Sequence, residues 1–384
     1  MTKKNTLNSC RLCAASIKDK PIISMQPFPK AAQFYPEPKE FSSDTGIVLD
    51  VYQCRSCGLV QLRGEPVPYY KEVITAASLS PHAKQARLKE MIDFVQAYQL
   101  EGKTALEIGC AKGDMLDVVS EAGLTPIGLE FSPASVAVGQ KKGRKIICDY
   151  INDYKPKTKA DVFFSFNYLE HQPNPKSFIE AIDRVTTDNA IGYVTVPNLE
   201  YLLASKCLYE FVADHLVYFT QKTLTLAFES NGFDVLNCTL INNDNDILAV
   251  VKKRKILDIS HYITEINELK INLNKLVDQY VDQGKKIAVW GAGHRTLALL
   301  SISQINKIEF IVDSADFKQG KYSPVMFSKI VSPQELEHSD VHAVIIMVPG
   351  IYPEEVLKTV QAFDRHIDAY LLKGNHLIAA ESNQ

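Results

Sequence analysis

The chain has 384 residues, which at roughly 150 residues per domain predicts two or three domains. A hydrophobic fraction of 46% and a charged fraction of 23% argue against a disordered chain. The formal net charge of −3 excludes a nucleic-acid binder that works through a global basic field, and no apolar run approaches the roughly 18 residues of a membrane span. The N-terminal residues 1–5 are polar and no apolar stretch precedes Cys10, so no secretory leader pattern is visible. We therefore expect a cytoplasmic protein with neither a nucleic-acid nor a membrane partner.

Residues 1–75 form a proline-rich block with weak helical periodicity, which predicts a small domain of short strands and turns. It holds two Cys-x-x-Cys pairs. Two residues between cysteines let both thiolates face one cation, and four thiolates satisfy the tetrahedral preference of structural Zn²⁺. A redox dithiol is the alternative for either pair. Four protein ligands leave no position for water, so we expect a structural zinc site formed by Cys10, Cys13, Cys54 and Cys57.

Residues 76–255 alternate between helical and strand patterns, which predicts a parallel, doubly wound sheet. The expected elements are a helix at 82–99, a strand at 104–108, a helix at 114–122, a strand at 125–129, a helix at 132–142 and strands at 145–148 and 161–166.

The loop after the first of these strands is rich in small residues. Gly109, Ala111 and Gly113 let the backbone approach a ligand closely, and Glu107 lies just before them. Glu130 ends the next strand, where a carboxylate can accept hydrogen bonds from both ribose hydroxyls. A lone glycine-rich loop is weak evidence, but here the order strand, loop, helix, strand, acid is complete.

Two further pieces follow, Asp149-Tyr150 and the stretch 161–171. Together with the loop they resemble the class I S-adenosylmethionine-dependent methyltransferases. The acid at Glu107, where a dinucleotide-binding loop carries a glycine, favours this cofactor over NAD. The resemblance implies S-adenosylmethionine binding by Glu107, Gly109, Ala111, Gly113, Glu130, Phe131, Asp149, Tyr150 and Asn167.

Residues 256–283 carry apolar side chains at helical spacing from Ile259 to Tyr280, which predicts one long linker helix. The last block, 284–384, begins with a strand at 286–290, a Gly-Ala-Gly turn and a helix opening at 296–300. Strands at 309–312 and 342–348 complete the pattern of a second Rossmann-like domain. The predicted fold class is therefore α/β, with a zinc-binding domain, a Rossmann-like methyltransferase core and a C-terminal α/β domain.

The three blocks, in this order, resemble the bacterial zinc-containing sugar C-methyltransferases, which act on nucleotide-linked deoxysugars at positions such as C-3. Two segments of the last block carry this resemblance, the loop 290–295 and the run from Val312 to Pro324. It implies a sugar-nucleotide acceptor between the middle and C-terminal domains, and a helix N-terminus beside Arg295 suits its phosphates. The alternative is that the C-terminal domain has a purely structural role and binds no acceptor. The implied substrate-binding residues are Tyr168, Gly291, Gly293, His294, Arg295, Lys318 and Lys321.

Methylation of a carbon next to a ketone needs a base that removes the α-proton and a group that stabilises the enolate. The stretch 211–220 resembles the family segment that carries the candidate base. His215 matches that base, and Asp214 replaces a Glu that would orient it, while Val212 replaces a Tyr. Tyr168 and Tyr218 are candidate donors to the enolate oxygen. The implied catalytic residues are His215, Asp214, His171 as a second base, and Tyr218.

Three alternatives remain open at this point. The Val212 and Asp214 departures favour considering an O- or N-methyltransferase of another small metabolite with the same architecture. A non-enzymatic binding protein would require a cofactor fold that no longer binds its ligand. An NAD-dependent oxidoreductase would depend on the loop 291–293 alone.

Overall fold

A computed structural model describes residues 8–380 except 19, 33–34 and 73–78. The chain divides into two compact units, Met1–Ile256 and Leu257–Gln384. The elements of the first unit are β1 (Ile23–Phe28), β2 (Ile47–Gln53), β3 (Val60–Leu62), α1 (Pro81–Tyr98), β4 (Thr104–Ile108), α2 (Asp114–Glu121), β5 (Thr125–Glu130), α3 (Pro133–Lys141), β6 (Ile146–Cys148), β7 (Ala160–Phe166), α4 (Pro175–Val185), β8 (Thr186–Pro197), α5 (Leu199–Ala204), β9 (Val217–Tyr218), α6 (Gln221–Glu229), β10 (Phe233–Ile241) and β11 (Asp246–Lys253).

The larger sheet of this unit has the strand order β10-β11-β8-β7-β4-β5-β6. Strands β8, β7, β4, β5 and β6 are parallel, and β11 and β10 add antiparallel pairs at one edge. Parallel strands covered on both faces are buried along their length, and accordingly β4 is buried from Ala105 to Ile108 and β7 from Val162 to Ser165. The predicted parallel arrangement is confirmed for the five strands β8, β7, β4, β5 and β6, while β11 and β10 make the whole sheet mixed. Its strands end at one edge, so the loops after β4, β5 and β7 lie together.

Local signals set the helix boundaries. Helix α1 begins after Ser80, whose hydroxyl accepts the backbone N–H of Ala83, and it ends at Gln99 in the left-handed conformation. Helix α4 begins after Asn174, whose side chain accepts the N–H of Ser177. Helices α1, α2 and α3 lie within one or two residues of the predicted ranges 82–99, 114–122 and 132–142, whereas α4 was not predicted.

The N-terminal strands form a smaller antiparallel sheet of order β1-β2-β3-β9. Its last strand comes from residues 217–218, far along the chain, and pairs with β3. One face of the sheet packs Leu49, Val51 and Leu62 against Phe211 and Tyr218. The N-terminal block is thus built into the first unit through the strand that residues 217–218 form.

The second unit is a Rossmann-like domain. Its elements are α7 (Tyr262–Asp282), β12 (Lys286–Trp290), α8 (His294–Ser303), β13 (Ile311–Val312), β14 (Ile330–Val331), α9 (Pro333–Glu337), β15 (Val341–Ile346), α10 (Tyr352–Gln361), β16 (Asp368–Lys373) and β17 (His376–Ala379). The strand order is β14-β13-β12-β15-β16-β17, parallel except for β17.

The helix expected over 256–283 is shorter than predicted, and it packs within the second unit. It begins at Tyr262 because Asp258 accepts the N–H of Ser260 in a local turn that competes with helix formation. Its buried residues Leu269, Leu273, Val277 and Tyr280 pack in the core of the second unit. Helix α7 is therefore part of that unit and not a separate linker.

Candidate active site

The loop between β4 and α2 requires small residues. Gly109 and Gly113 have φ values of +75° and +82°, and Ala111 lies in the same left-handed region at +47°. A Cβ atom on Gly109 would lie 2.8 Å from the ring of Tyr168. The loop thus leaves a cradle beside Tyr168 that a side chain at residue 109 would fill.

Two buried carboxylates lie under this loop. Glu130 accepts hydrogen bonds from the backbone N–H groups of Ala111 (2.9 Å) and Ser132 (2.8 Å). Glu107 Oε2 has no hydrogen-bond partner within the described residues. Burial, and then the nearby Glu130 charge, raise the pKa of Glu107 well above its usual value. A buried acid without a partner suits a ligand that carries positive charge.

The loops after β5 and β6 add an aromatic wall. The Phe131 and Tyr150 rings lie 6.3 Å apart, edge to face, and the Lys71 ammonium lies 4.9 Å and 4.5 Å from their centroids. Tyr150 donates from its hydroxyl to Gln172 (2.8 Å), and Asp149 accepts the Tyr150 backbone N–H. This wall can pack against a flat ring.

The loop after β7 carries Asn167 and Tyr168. Asn167 lies in the left-handed region, and its amide group accepts from the Thr195 hydroxyl (2.6 Å) and donates to Asp246 (3.2 Å). Tyr168 is buried and donates from its hydroxyl to the backbone carbonyl of Lys71 (2.7 Å). Both side chains therefore have partners in the protein.

A pair of histidines lies beyond Tyr168. The rings of His171 and His215 are 4.7 Å apart and nearly perpendicular. His171 Nδ1 lies 2.9 Å from the backbone carbonyl of Asp214, which makes this nitrogen the donor and leaves Nε2 unprotonated. Burial, and then the neighbouring His171, lower the pKa of His215 to about 3, and burial also lowers that of His171. Both imidazoles are therefore neutral near pH 7.

Asp214 has contacts that differ from those expected. Its carboxylate accepts from the Tyr69 hydroxyl (2.8 Å) and from the backbone N–H of Ala32 (2.7 Å). Its backbone carbonyl, and not its carboxylate, orients a histidine, and that histidine is His171. The carboxylate of Asp214 thus joins two N-terminal segments beside the histidine pair.

Tyr218 also has its hydrogen bonds within the protein. Its hydroxyl accepts from the N–H of Val212 (2.8 Å) and donates to the carbonyl of the same residue (3.1 Å). The ring lies 6.1 Å from that of His215, and only 5% of the residue is exposed. In this arrangement Tyr218 supports the loop that carries His215.

Glu170 is a site residue that the sequence argument missed. It is buried, its Oε1 lies 3.9 Å from His171 Nε2, and its Oε2 has no partner among the described residues. Burial raises the pKa of Glu170 to about 8. Its position next to His171 in the chain was the available signal.

The four predicted metal ligands lie together. The Sγ atoms of Cys10 and Cys57 are 3.5 Å apart and those of Cys13 and Cys54 are 3.6 Å apart, with all four within 4.8 Å. Zn–S bonds of about 2.3 Å in a tetrahedron put sulfur atoms roughly 3.8 Å apart. The cluster therefore has the dimensions of a tetrahedral thiolate site.

The two Cys-x-x-Cys turns repeat one backbone design. Ala14 donates to the carbonyl of Cys10 and Gly58 to that of Cys54, and both donors lie in the left-handed region. Such paired turns point the thiols of each pair to one side.

In the second unit the predicted binding loop opens α8. Gly291 has φ of +113°, and Gly293 is the N-cap before His294, which is exposed. Arg295 donates to the carbonyl of Gly374 (3.1 Å). Lys318 forms an ion pair with Asp313 (2.8 Å), whereas Lys321 is exposed. Of the predicted cations, Lys318 already has an acidic partner.

Two family models match separate parts of the chain. One described as a methyltransferase domain matches residues 82–237, and one described as a C-methyltransferase C-terminal domain matches residues 250–369.

Among curated proteins, C-methyltransferase NovU of Streptomyces niveus is 22% identical over 369 residues, covering 86% of each chain. A ubiquinone biosynthesis O-methyltransferase of Methylococcus capsulatus is 25% identical over 29% of this chain, a stretch that spans 53% of that relative. A solved magnesium protoporphyrin IX methyltransferase of Synechocystis with bound SAH has a TM-score of 0.38 and 13% identity, over 47% of this chain and 90% of that one.

The matched domains and the curated relatives identify the chain as an S-adenosylmethionine-dependent methyltransferase. The activity and the cofactor class predicted from the strand, loop and acid order are thereby confirmed. No helix in the described ranges is both long and apolar enough to span a membrane.

Proposed function

We propose that the enzyme methylates a carbon next to the ketone of a nucleotide-linked 4-keto deoxysugar. The likeness to C-methyltransferase NovU over most of the chain and the match to a C-methyltransferase C-terminal domain support transfer to carbon. The observation that carries the proposal is the buried pair His171 and His215, whose rings lie 4.7 Å apart, because a neutral imidazole can accept the proton that such a reaction releases.

The cofactor fits the edge of the larger sheet. The cradle at Gly109 and Gly113 and the unpartnered Glu107 carboxylate suit the positively charged methionine end. Glu130 ends β5 and Asp149 follows the neighbouring β6, where both can face a ribose, and Phe131 and Tyr150 form the wall for adenine. Ala111 and Asn167 complete this proposed set. S-adenosylmethionine supplies the electrophilic methyl group, so the protein has to supply a base and an orientation.

His215 is the proposed base. Its ring nitrogens have no hydrogen-bond partner within the described residues, whereas His171 Nδ1 is held by the carbonyl of Asp214. His215 therefore has a lone pair to offer to an acceptor C–H group, and the proton ends on its ring. His171, whose ring lies 4.7 Å away, can then share the new positive charge.

His215→Asn and His171→Asn test these roles. The measurement is exchange of the acceptor's α-hydrogen with deuterated water, together with methyl transfer and the Kd for S-adenosylmethionine. We expect H215N to bind the cofactor within about twofold of wild type while both exchange and transfer fall by roughly 100-fold or more. H171N should retain part of the exchange. Full exchange in H215N would contradict the assignment.

We also propose that the four cysteines hold one structural Zn²⁺. The sulfur separations and the paired turns suit a tetrahedral ion, and a set of four thiolates leaves no open position. Metal analysis of the purified protein should give one zinc per chain, and Cys54→Ser should abolish it.

In the second unit the proposed acceptor contacts are Gly291, Gly293, His294, Arg295 and Lys321. The N-terminus of α8 and two basic side chains suit the diphosphate of the acceptor. Lys318 is a weaker candidate because Asp313 already holds it.

The second candidate is methyl transfer to oxygen or nitrogen of another small metabolite. The matches of the methyltransferase domain to ubiquinone biosynthesis O-methyltransferases favour keeping it. The two reactions are separated by the deuterium experiment, because transfer to oxygen or nitrogen requires no exchange of a carbon-bound hydrogen.

A further inference from the structure

The first unit contains a large pocket on the smaller sheet that none of the proposed roles uses. It has a volume of about 520 Å³, within the range of small-molecule sites. One wall is the face of β2 that carries Val48, Asp50 and Tyr52, and another is the segment 62–69. We call this cavity the β2 pocket.

The β2 pocket has an apolar lining. Its walls include Ala31, Val48, Tyr52, Pro66, Val67 and Leu216. Pro66, Pro68 and Tyr52 also line the pocket, and such a lining suits a planar ring better than a sugar, because each hydroxyl of a sugar needs a hydrogen-bond partner when it is buried.

The charged side chains at the pocket are balanced and engaged. Lys30 forms an ion pair with Asp44 (2.9 Å), and the Arg63 guanidinium lies 4.6 Å from the centre of the Tyr52 ring and donates to Asn8. Asp50 and Glu65 add two negative charges. This set does not favour a diphosphate, which requires an excess of positive charge.

The pocket is connected to the candidate active site by hydrogen bonds. Tyr69 lines the pocket and donates to Asp214, the residue before His215, and Ala213 also lines the pocket. Two residues beyond Tyr69, Lys71 covers the Phe131 and Tyr150 rings and accepts from Tyr168. The segment 66–71 thus runs from the β2 pocket, past Asp214, to the proposed cofactor site.

We propose that the β2 pocket binds the base of a nucleotide-linked acceptor, an uncharged planar ring, while the sugar lies towards His215. This assignment rests on the proposed function. Of the three parts of such an acceptor, the base alone matches an apolar pocket with balanced charges. Asp50 can accept a hydrogen bond from an N–H group on the edge of the base.

Val48→Trp tests the assignment by filling the pocket. Val48 is 44% exposed and its side chain points away from the sheet core, so the larger ring can be accommodated in the fold. Val138→Trp on α3 is the matched control, since Val138 is 40% exposed and lies outside the pocket. Val48→Phe is a milder second variant. Thermal unfolding and the Kd for S-adenosylmethionine report whether each variant is folded.

The experiment has two independent readouts. The first is equilibrium dialysis with labelled thymidine, uridine, cytidine and guanosine, and with ribose 5-phosphate as the probe that lacks a base. The second is methylation of the corresponding nucleotide-linked 4-keto sugars. We expect one nucleoside to bind, its Kd and the KM of the matching acceptor to rise at least tenfold in V48W, and V138W to match wild type.

The outcomes separate the two claims. A nucleoside that binds and is displaced by V48W supports the pocket even when no acceptor is methylated, and in that case only the proposed reaction fails. Methylation of an acceptor with an unchanged KM in V48W and V48F overturns the pocket while the reaction stands. Binding of no nucleoside by folded, cofactor-binding protein also overturns it.

Discussion

The two Rossmann-like units use the same loop differently. In the first, Gly109 donates to the carbonyl of Leu129 and Ala111 to the acid Glu130. In the second, Gly291 donates to the carbonyl of Val312 and Ala292 to the acid Asp313.

The units differ in what surrounds these acids. Glu107 stands two residues before Gly109, buried and with an unpartnered oxygen, whereas Val289 occupies the matching position before Gly291. Burial raises the pKa of Asp313, but the hydrogen bonds from Lys318, Ala315 and Ala292 outweigh it and leave that pKa lowered. The acid of the first loop, Glu107, can therefore bind a cationic group of a ligand, whereas Asp313 of the second loop is already paired with Lys318.

Removing the proposed metal should produce the largest difference in stability between the two units. The described part of the second unit has no comparable thiolate cluster. We expect a chelator or Cys54→Ser to destabilise the first unit by about 4 kcal/mol or more, which is roughly 10 °C in Tm. Cys207→Ser, outside the cluster, should have little effect.

The fluorescence of Trp290, the single tryptophan and a buried residue of the second unit, should follow a transition that chelation leaves unchanged. If chelation shifted the unfolding transitions of both units together, the proposal that the metal stabilises only the first unit would be contradicted.

Glu107→Val gives the first loop the residue that the second one has. Loss of a charge-assisted contact should weaken S-adenosylmethionine binding by roughly 10- to 100-fold. The same change removes a buried, unpartnered carboxylate, so the stability of the free protein should rise by about 1–3 kcal/mol. Calorimetric titration and denaturant unfolding measure the two effects. Asp313→Asn is the control and should leave cofactor affinity unchanged.

Glu170→Gln tests the second buried acid of the first unit. The pKa of Glu170 rises from 4.5 to about 8 on folding, so folded Glu170 holds a proton that unfolded Glu170 has lost. Stability from this residue is therefore full below pH 4.5 and is lost as the pH rises to about 8. E170Q cannot ionise, so its stability relative to wild type should rise by a few kcal/mol between pH 5 and 9. A difference that does not depend on pH would contradict the assigned protonation.

Lys318→Met should have the smallest effect. It removes the cation from Asp313 and makes the second loop more like the first. Because Lys318 is partly exposed, the free energy of unfolding of the second unit should fall by only about 1 kcal/mol. Trp290 fluorescence during unfolding measures this change. An effect as large as that of metal removal would contradict the proposed ranking.

The sequence predicted those features that depend on local pattern. The strand, loop and acid order from Glu107 to Glu130 and the two Cys-x-x-Cys pairs each lie within short stretches whose periodicity or spacing is informative. The boundaries of the middle strands follow for the same reason.

Contacts between distant segments were not predictable in this way. The bond from Tyr69 to Asp214 joins residues 145 apart, and the pairing of β9 with β3 depends on two residues with no strand signal of their own. Glu170 was missed because an acid in a short turn does not reveal its burial. The start of α7 was misplaced because its apolar spacing continues into a turn at Asp258.

The most direct test of the central claim is methylation of dTDP-, UDP-, GDP- and CDP-linked 4-keto sugars with ¹³C-methyl-labelled S-adenosylmethionine, read by NMR. Our account predicts a new methyl group bonded to carbon in one of these acceptors, and loss of that product in H215N. A methyl group on oxygen or nitrogen, or no product from protein that binds the cofactor, would contradict it.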